Sequence, residues 1–497
     1  MESKARSAGI LMPVFSLPSP YGIGTIGRAA REFADFLQAA GQKYWQMLPV
    51  GPVSYGDSPY QSLSSFAGNP YYVDIDLLIE EGLLTEEEAG AAEFGQDPEK
   101  VDYGKLYENR LGLLRKAAAR GIPKDRDALE AFVKEKAWLP DYALFMALKL
   151  HYGMRPWTEW PDEDIRLHRS EACAEWREKL SEDVALFEYI QFLFYSQWSQ
   201  FKAYVNDAGI KIIGDIPIYV VMDSAEVWAE PGWFQLDGNN LPVEVAGVPP
   251  DMFSEDGQLW GNPLYDWDAM EEDGFEWWIR RIAGAAELFD MIRIDHFRGL
   301  ESYFAIPYGE TTARSGHWVK GPGMKLVDAL RKRFPDLDFI AEDLGYTTPE
   351  VRKLLDDSGF PGMRLISCAF DEMELIQFLP HNYCVNCICY TGTHDNHTLV
   401  GWLDGCSEKE LSYAKKYLAL NEEEGIARGV IRAGMGSVAG LFVAQMQDWL
   451  ELGDEARINA PGIPEGNWTW RMRPGAATNK LAEEILGMTR LYGRTTK

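Results

Sequence analysis

Basic side chains are scarce in this sequence, and long apolar runs are absent from it. Over 497 residues, 48 Lys and Arg stand against 77 Asp and Glu, which gives a formal net charge of −29. Nucleic-acid binding needs clustered Lys and Arg to neutralise phosphates, so this balance argues against a nucleic-acid partner. No stretch of about 18 uncharged apolar residues occurs, so we expect neither a membrane span nor a membrane partner.

Cysteine is also rare, with six residues in the whole chain. Six are too few for a disulfide scaffold at this length, and we expect a protein of the reducing cytoplasm. Three of them, Cys384, Cys387 and Cys389, lie close enough in sequence to suggest a metal site. However, the surrounding "NYCVNCICYTG" is typical of a buried strand, where free cysteine packs as a small apolar side chain. We therefore predict no metal and no cofactor.

The sequence has no nucleotide-binding signature after its first predicted strand, because "SLPSPYGIGTIG" is neither GxGxxG nor a P-loop. What it has is a regular alternation of short apolar runs and amphipathic helical segments. Eight runs are predicted as strands: Gly9–Val14, Lys43–Val50, Ile210–Asp215, Met291–Phe297, Asp338–Gly345, Gly362–Phe370, Tyr383–Asp395 and Leu441–Asp448. Eight βα repeats favour a closed (β/α)8 TIM barrel of the α/β class over an open doubly wound sheet, with the functional site at the carboxyl ends of the strands.

The repeat is interrupted twice. A charged, helix-rich segment separates the second and third strands, and a Trp- and Pro-rich stretch from Ile216 to Trp267 is long enough to be a functional loop or lid. We predict one catalytic domain over 1–497, divided into a barrel core at about 8–76 and 205–450, a helical insertion at about 77–200, a loop subdomain at about 217–270 and a C-terminal segment at 451–497.

Acidic residues follow four of the predicted strands: Asp215, Asp295, Glu342 and Asp395. A single carboxylate at a strand end is often a helix N-cap, but four at one end of a barrel would repel one another unless they served a purpose. Such acids suit glycosidic chemistry, in which one attacks the anomeric carbon and another carries the proton. A metal-assisted hydrolase is the rival interpretation, although no HxH or HExxH spacing supports it.

The stretch "IRIDHFRG" places Arg293, Asp295 and His296 at the end of an apolar strand. It is either a solvated strand end or a catalytic carboxylate held between two cations. Alternation along a strand sends Arg293 and Asp295 to one face and Ile292 and Ile294 to the other. We expect the neighbouring cation to keep Asp295 ionised, with a plain structural ion pair as the alternative.

Several longer motifs resemble one family, the 4-α-glucanotransferases known as amylomaltases or disproportionating enzymes, within the α-amylase clan. They are "GDSPYQSLSSFAGNPYY", "GDIPIYV", "GVPPDMFSEDGQLWGNPLYDW", "RIDHFRG", "AEDLG", "TGTHDN" and "ARINAPGIPEGNWTWR", in the order of the family. The resemblance implies a barrel with helical insertions. It also implies that Asp295 is the nucleophile, Glu342 the general acid and base, and Asp395 the residue that stabilises the transition state.

The resemblance further implies a set of substrate contacts. These are Asp215, Arg293 and His394 around the same sugar, Tyr60 and Trp260 as stacking residues on the donor and acceptor sides, and Ser58, Asp251 and Gln258 as contacts to hydroxyl groups. Sugar rings present C–H faces to aromatic rings and hydroxyl rims to carboxylates and amides, so these residue types suit the task.

The sequence departs from the family pattern at Met252, where many relatives have tyrosine, at Ser367 and Cys368, where Gln and Phe are common, and at His397, where an acid is usual. None of these removes a predicted catalytic carboxylate. We expect a 4-α-glucanotransferase that acts on α-1,4-glucans and maltooligosaccharides, with glucose as an acceptor. The alternatives are an α-amylase-type hydrolase and a non-catalytic glucan-binding protein, and the oligomeric state is left open.

Overall fold

The structure, a computed structural model, describes residues 6–250, 254–345, 347–370, 376–463 and 465–495. Within these ranges the chain forms twelve β-strands: β1 Ser7–Leu11, β2 Tyr44–Gln46, β3 Lys211–Ile216, β4 Glu244–Val248, β5 Gln258–Pro263, β6 Met291–Ile294, β7 Ser302–Pro307, β8 His317–Lys320, β9 Asp338–Ala341, β10 Gly362–Leu365, β11 Cys387–Tyr390 and β12 Leu441–Gln445. They divide into a closed barrel of eight strands and a separate sheet of four.

The barrel follows the chain order β1, β2, β3, β6, β9, β10, β11, β12, and β1 pairs with both β2 and β12 to close it. Every pairing around the barrel is parallel. Each of the eight predicted strands overlaps one of these strands, so the predicted (β/α)8 barrel is confirmed. The parallel arrangement brings all eight carboxyl ends to one rim.

Branched and apolar side chains fill the barrel interior. The cluster comprises Leu11, Ile213, Met291, Ile340, Met363, Leu365, Ile388, Tyr390, Leu441 and Val443. Along β6 the side chains alternate, with Ile292 and Ile294 fully buried in the layer between barrel and helices, while Arg293 points inward to the Met363 sulfur. The apolar filling therefore stops at Arg293, and the polar site begins there.

Nineteen α-helices surround the barrel in the described ranges: α1 Arg28–Ala39, α2 Ile75–Glu80, α3 Glu86–Gly90, α4 Tyr103–Lys124, α5 Arg126–Glu135, α6 Leu139–His151, α7 Glu163–Arg166, α8 Ser170–Lys179, α9 Ser181–Asp207, α10 Ala225–Ala229, α11 Trp267–Glu272, α12 Glu276–Leu288, α13 Met324–Arg333, α14 Pro349–Ser358, α15 Leu399–Gly405, α16 Glu408–Leu418, α17 Ile426–Gly436, α18 Met446–Trp449 and α19 Asn479–Leu491. Eight of them, α2 to α9, lie between β2 and β3. Every described helix falls short of the length or the apolar character that a bilayer crossing requires.

Local signals set the helix ends, as α14 illustrates. The Thr348 hydroxyl accepts from the Val351 backbone N–H, Pro349 occupies the first turn, and Gly359 ends the helix with a φ of 62°. A capping hydroxyl satisfies an otherwise unpaired N–H, and glycine tolerates the left-handed conformation at the far end.

The four-stranded sheet is antiparallel, in the order β5-β4-β7-β8. Two of its strands and α10 lie inside the Ile216–Trp267 stretch, which the sequence predicted to be a functional loop or lid. The other two strands follow β6 directly, which attaches the sheet to the rim of the barrel beside Asp295. Asp251 and Met252, both singled out from the sequence, lie outside the described residues.

The cysteine cluster is partly where the sequence placed it. Cys387 and Cys389 are buried in β11, as expected of apolar packing, but Cys384 precedes the strand and is exposed. In the described ranges no three His, Cys, Asp or Glu side chains converge as a set of metal ligands.

Candidate active site

Arg293 forms the polar floor of the site. Asp215 in β3 and Arg293 in β6 are register partners on neighbouring parallel strands, and both side chains are buried. Arg293 Nη1 donates to Asp215 over 2.6 and 2.7 Å and to Asp295 Oδ1 over 2.9 Å. One buried guanidinium thus holds two carboxylates, and the prediction that Arg293 and Asp295 share a face is confirmed.

Glu342 follows β9, and its hydrogen bonds from the described residues come from two backbone N–H groups. Its carboxylate accepts from the His296 N–H over 2.8 Å and from the Leu344 N–H over 2.6 Å. His296 has a φ of 52° and a ψ of 47°, an uncommon conformation for a residue other than glycine. This strained turn aims the His296 N–H at Glu342, as is typical of residues at functional sites.

The pKa of Glu342 is raised, first by burial and then by the charge of Asp295, while Arg293 and the two backbone N–H groups oppose the rise. Burial also raises the pKa of Asp295, and Asp215 and Asp395 add to the rise against the opposing pull of Arg293. Asp295 therefore lies within electrostatic reach of both Glu342 and Asp395. Because Asp295 contacts a cation and Glu342 does not, the first proton taken up by the pair belongs on Glu342.

Two expectations concern the charge of Asp295. Arg293 was expected to keep it ionised and does lower its pKa, but burial has the larger effect, so the net shift is upward, to about 6. His296 was the second candidate cation, yet burial and the charge of Arg298 lower its pKa to about 3, so its imidazole is neutral at pH 7. Asp295 is accordingly held by one cation and not by two.

Asp395 follows β11 and is ionised more readily than its burial suggests. Burial raises its pKa, but His394, the amide of Asn459 and Arg293 together lower it to about 2. His394 Nε2 lies 3.3 Å from Asp395 Oδ2, and Asn459 Nδ2 donates to Asp395 Oδ1 over 2.6 Å. Asp395 is thus the most acidic of the three carboxyl groups.

An aromatic wall stands over the carboxylates. The rings of Tyr60 and His394 stack with centroids 5.1 Å apart and planes 19° apart, and Trp468 lies 5.9 Å from each. Tyr60 Oη donates to Asp215 Oδ2 over 2.7 Å, which ties the wall to the polar floor. Ser58 Oγ accepts from the Tyr60 backbone N–H over 3.2 Å, so Ser58 shapes the loop that carries the ring.

The second sheet contributes an aromatic side chain that packs on His296. Trp260 in β5 packs edge to face on His296, with centroids 4.8 Å apart and an interplanar angle of 83°. Its indole Nε1 donates to Gln258 Oε1 over 3.1 Å, and Gln258 itself is exposed. Trp260 is therefore joined through His296 to the backbone that binds Glu342.

A family model described as 4-alpha-glucanotransferase matches residues 12–478. The chain belongs to the 4-alpha-glucanotransferase family. The 4-alpha-glucanotransferase of Clostridium butyricum is 49% identical over 486 residues, which cover 97% of this chain and 100% of that protein. That of Thermus thermophilus is 49% identical over 495 residues, covering 97% of this chain and 98% of the relative. This chain is accordingly an enzyme with 4-alpha-glucanotransferase activity.

Solved structures agree with this membership. An amylomaltase from Streptococcus agalactiae, determined in complex with acarbose, matches with a TM-score of 0.96 and 42% identity over 99% of this chain and 100% of that one. An amylomaltase from Corynebacterium glutamicum has a TM-score of 0.76 at 18% identity over 99% of this chain and 74% of its own, and shows the shared fold alone.

The structure of this glucanotransferase brings the three predicted catalytic carboxylates together with Tyr60, Asp215, Arg293 and His394. Trp260 and Gln258 lie on the second sheet, and Ser58 accepts from the Tyr60 backbone. The structure also adds residues that sequence reasoning missed. Asn459 contacts Asp395, Arg457 Nη2 donates to the Asp395 carbonyl over 2.8 Å, and Trp468 completes the aromatic wall. All three lie in "ARINAPGIPEGNWTWR", so the signal was present in a motif to which no roles had been assigned.

Proposed function

We propose that this enzyme transfers segments of α-1,4-glucans by a retaining double displacement, with Asp295 as the nucleophile and Glu342 as the general acid and base. One observation carries the proposal. Asp295 is held by the Arg293 guanidinium, whereas the neighbouring Glu342 accepts from backbone N–H groups among the described residues, so the two carboxyl groups differ in how readily they ionise. A protonated and an ionised carboxyl group side by side are what the chemistry requires.

In the first half-reaction, a carboxylate oxygen of Asp295 attacks the anomeric carbon of a donor glucan. The glycosidic C–O bond breaks, and Glu342 gives its proton to the leaving oxygen, which departs as the free 4-hydroxyl of the released segment. In the second half-reaction, Glu342 takes the proton from the 4-hydroxyl of an acceptor, whose oxygen displaces Asp295 at the same carbon. Two inversions retain the α configuration and return both carboxyl groups to their starting states.

Asp395 is proposed to stabilise the positive charge that develops on the sugar ring. Its low pKa keeps it ionised throughout, and its position beside His394 supports contact with the same glucose. Tyr60 supplies the stacking face, and Asp215 and Arg293 the polar floor. Ser58, Gln258 and Asp251 remain proposed hydroxyl contacts, the last of them outside the described residues.

Transfer prevails over hydrolysis only when an acceptor outcompetes water for the glycosyl enzyme. We propose that Trp260 and the sheet that carries it hold the acceptor, which includes maltooligosaccharides and glucose. The barrel, the helical insertion, the loop subdomain and the C-terminal segment would then act as one catalytic domain over 1–497. No cofactor enters this scheme, and we propose the cytoplasm as the place where the enzyme works.

Incubation with maltotriose tests the reaction class. A transferase gives glucose together with maltopentaose and longer chains, whereas a hydrolase of the same clan gives glucose and maltose alone. The Asp295→Asn variant should lose activity by on the order of 10³-fold or more and still bind glucan. Binding without any turnover in the unaltered enzyme would favour a glucan-binding protein.

Chemical rescue separates the two carboxyl roles. An α-maltosyl fluoride donor needs no acid to expel fluoride, and azide needs no base to attack, so the pair should restore turnover to Glu342→Ala and give the α-glycosyl azide. With Asp295→Gly, azide should attack the donor directly and give the inverted β product. Equal stereochemistry from the two variants would contradict the assignment.

A further inference from the structure

Cys384 and Cys387 flank a tight turn that enters β11 from the amino end, away from the rim that carries the carboxylates. Cys384 is exposed and the Cys387 side chain is buried, with 2% of its surface accessible. Two contacts fix the turn between them: the Gly440 N–H donates to the Val385 carbonyl over 2.9 Å, and Asn386 Nδ2 donates to the Gly359 carbonyl over 3.1 Å. The two cysteines are therefore held in a defined relation to each other.

The Cys387 thiol reaches back to Cys384. Cys387 Sγ donates to the Cys384 carbonyl oxygen over 3.0 Å, which holds this sulfur against the residue that carries its partner. Arg364, on the neighbouring strand β10 and anchored to Asp343 over 2.9 Å, adds a positive charge beside both cysteines.

These contacts make the two thiols unlike. The hydrogen bond from Cys387 lowers the pKa of Cys384, and Arg364 and the backbone N–H groups lower it further against the effect of partial burial. The pKa of Cys387 is raised, because its proton is engaged by Cys384 and the group is buried. Thiol–disulfide exchange by a dithiol needs an exposed thiolate, which attacks the incoming disulfide, and a second thiol that then resolves the mixed disulfide. Cys384 and Cys387 have these two properties.

We propose that Cys384 and Cys387 form a redox-active dithiol, a modification site that low-molecular-weight disulfides such as oxidised glutathione convert into an intramolecular disulfide. The Cys384 thiolate attacks one sulfur of the reagent, which breaks the reagent's S–S bond and releases one thiolate. Cys387 then passes its proton to a released thiolate and attacks the Cys384 sulfur, expelling the second. Two protein thiols are oxidised, and one reagent disulfide is reduced to two thiols.

Three other cysteines lack this arrangement. Burial raises the pKa of Cys389 to about 12 and that of Cys406 to about 11, so both stay protonated at neutral pH. Cys173 is buried in α8. The reaction should therefore select Cys384 and Cys387 over these three.

The test is oxidation of the folded, full-length enzyme in buffers of set reduced and oxidised glutathione, with acid quenching and peptide mapping without reduction. We expect a peptide that contains a Cys384–Cys387 disulfide and a loss of two hydrogens in mass. Cys387→Ser should accumulate glutathione on Cys384, Cys384→Ser should show no modification at Cys387, and Cys406→Ser should oxidise like the unaltered enzyme.

A second readout is the rate of iodoacetamide labelling at Cys384, measured as a function of pH. The pH at which this rate is half maximal should lie clearly below the ordinary thiol pKa of about 8.5, and Cys387→Ser should move it upward. The proposal is overturned if ratios of glutathione that oxidise a reference dithiol leave the native pair reduced, or if native enzyme stops at a stable mixed disulfide. Labelling of all six cysteines at similar rates would overturn it equally.

Discussion

Asn459 Nδ2 donates to Asp395 Oδ1 over 2.6 Å, a contact between residues 64 positions apart. The Asn459 backbone N–H in turn donates to the His394 carbonyl over 3.0 Å. The side-chain amide of Asn459 is therefore positioned by the same loop that carries Asp395. A hydrogen bond to an ionised group is stronger than one between neutral partners. The segment after β12 is therefore part of the site, because it helps to keep Asp395 ionised and oriented.

Replacing Asn459 with alanine should lower kcat/KM for maltotriose transfer by about 10- to 100-fold, since a hydrogen bond to a charged group contributes about 1.5–3 kcal/mol. Asn459→Asp should be worse, because it sets a second carboxylate against Asp395. Steady-state kinetics measure both, with exposed Asn239→Ala as the matched control. Equal activities for Asn459→Ala and the control would remove Asn459 from the site.

The pH dependence of kcat/KM should be bell-shaped. Asp295 must be ionised to attack, so activity rises as pH increases through its pKa, which is raised to about 6. Glu342 must be protonated to release the leaving group, so activity falls as pH increases through its pKa, which is raised to about 7. We expect the maximum between these two values, with both limbs belonging to the pair and not to isolated residues.

The same profile measured for Glu342→Gln, with α-maltosyl fluoride and azide, should lose the alkaline limb and keep the acid limb. An alkaline limb that survives in this variant would show that another group causes it. Buffers of constant ionic strength are needed, because the charges of Arg293 and Asp215 also act on Asp295.

The barrel could be predicted because its strands are buried on both faces and appear as continuous apolar runs such as "IKIIGD" and "LFVAQ". The second sheet could not. Its strands "EVAGV" and "HWVK" are short and partly exposed, and "QLWGNP" contains both glycine and proline. These strands are stabilised by pairing with one another, and β4 pairs with β7 although β6 lies between them in the sequence. A local sequence pattern does not reveal such pairing.

The three carboxylates could likewise be predicted, because each follows a recognisable strand and lies in a distinctive motif. The contacts that tune them could not, because they join distant segments: Asn459 to Asp395, and the His296 N–H to Glu342. The upward shift in the pKa of Asp295 was missed for the same reason. A neighbouring arginine is visible in the sequence, whereas burial and the approach of Asp215 and Asp395 are not.

Arg293→Met should destabilise the enzyme by about 3–5 kcal/mol at pH 7, because it leaves the buried Asp215 and the partly buried Asp295 without their cation. The loss should shrink at acid pH, where protonation removes the uncompensated charge. Urea unfolding measures it, and Arg169→Met is the control, since the Arg169–Asp164 pair is 59% exposed on both sides and contributes little. A loss of stability no larger than that of the control would show that Arg293 does not stabilise the fold by neutralising Asp215 and Asp295.

Arg457 and His397 test how the Asp395 loop is held. Arg457 donates to the carbonyls of Asp395 and Asn459, each over 2.8 Å, so Arg457→Met should lower kcat by about tenfold through misplacement of both side chains. His397 contacts Asp454 and Arg457 but not Asp395. His397→Asp, which restores the acid expected at this position, should change kcat by less than about threefold, and the reverse ranking of the two variants would refute this account.

Trp260 decides between transfer and hydrolysis in our proposal. Its ring is partly exposed on the edge strand β5 and is fixed by His296, so it offers a face to an acceptor close to Glu342. Trp260→Ala should raise the acceptor KM by about 2- to 12-fold, as expected for an aromatic contact of 0.5–1.5 kcal/mol, while donor cleavage changes little. Maltotriose products should then shift from longer chains toward glucose and maltose.

Trp260→Phe should retain most of the transfer, because a smaller ring still offers a flat face. Trp318→Ala is the matched control, since Trp318 is an exposed tryptophan on β8 of the same sheet. If Trp260→Ala lowered transfer and hydrolysis by one common factor, the residue would act on the glycosyl enzyme as a whole, through His296 and Glu342. Only an effect confined to the acceptor step fits the proposed role of Trp260 as the residue on which the acceptor stacks.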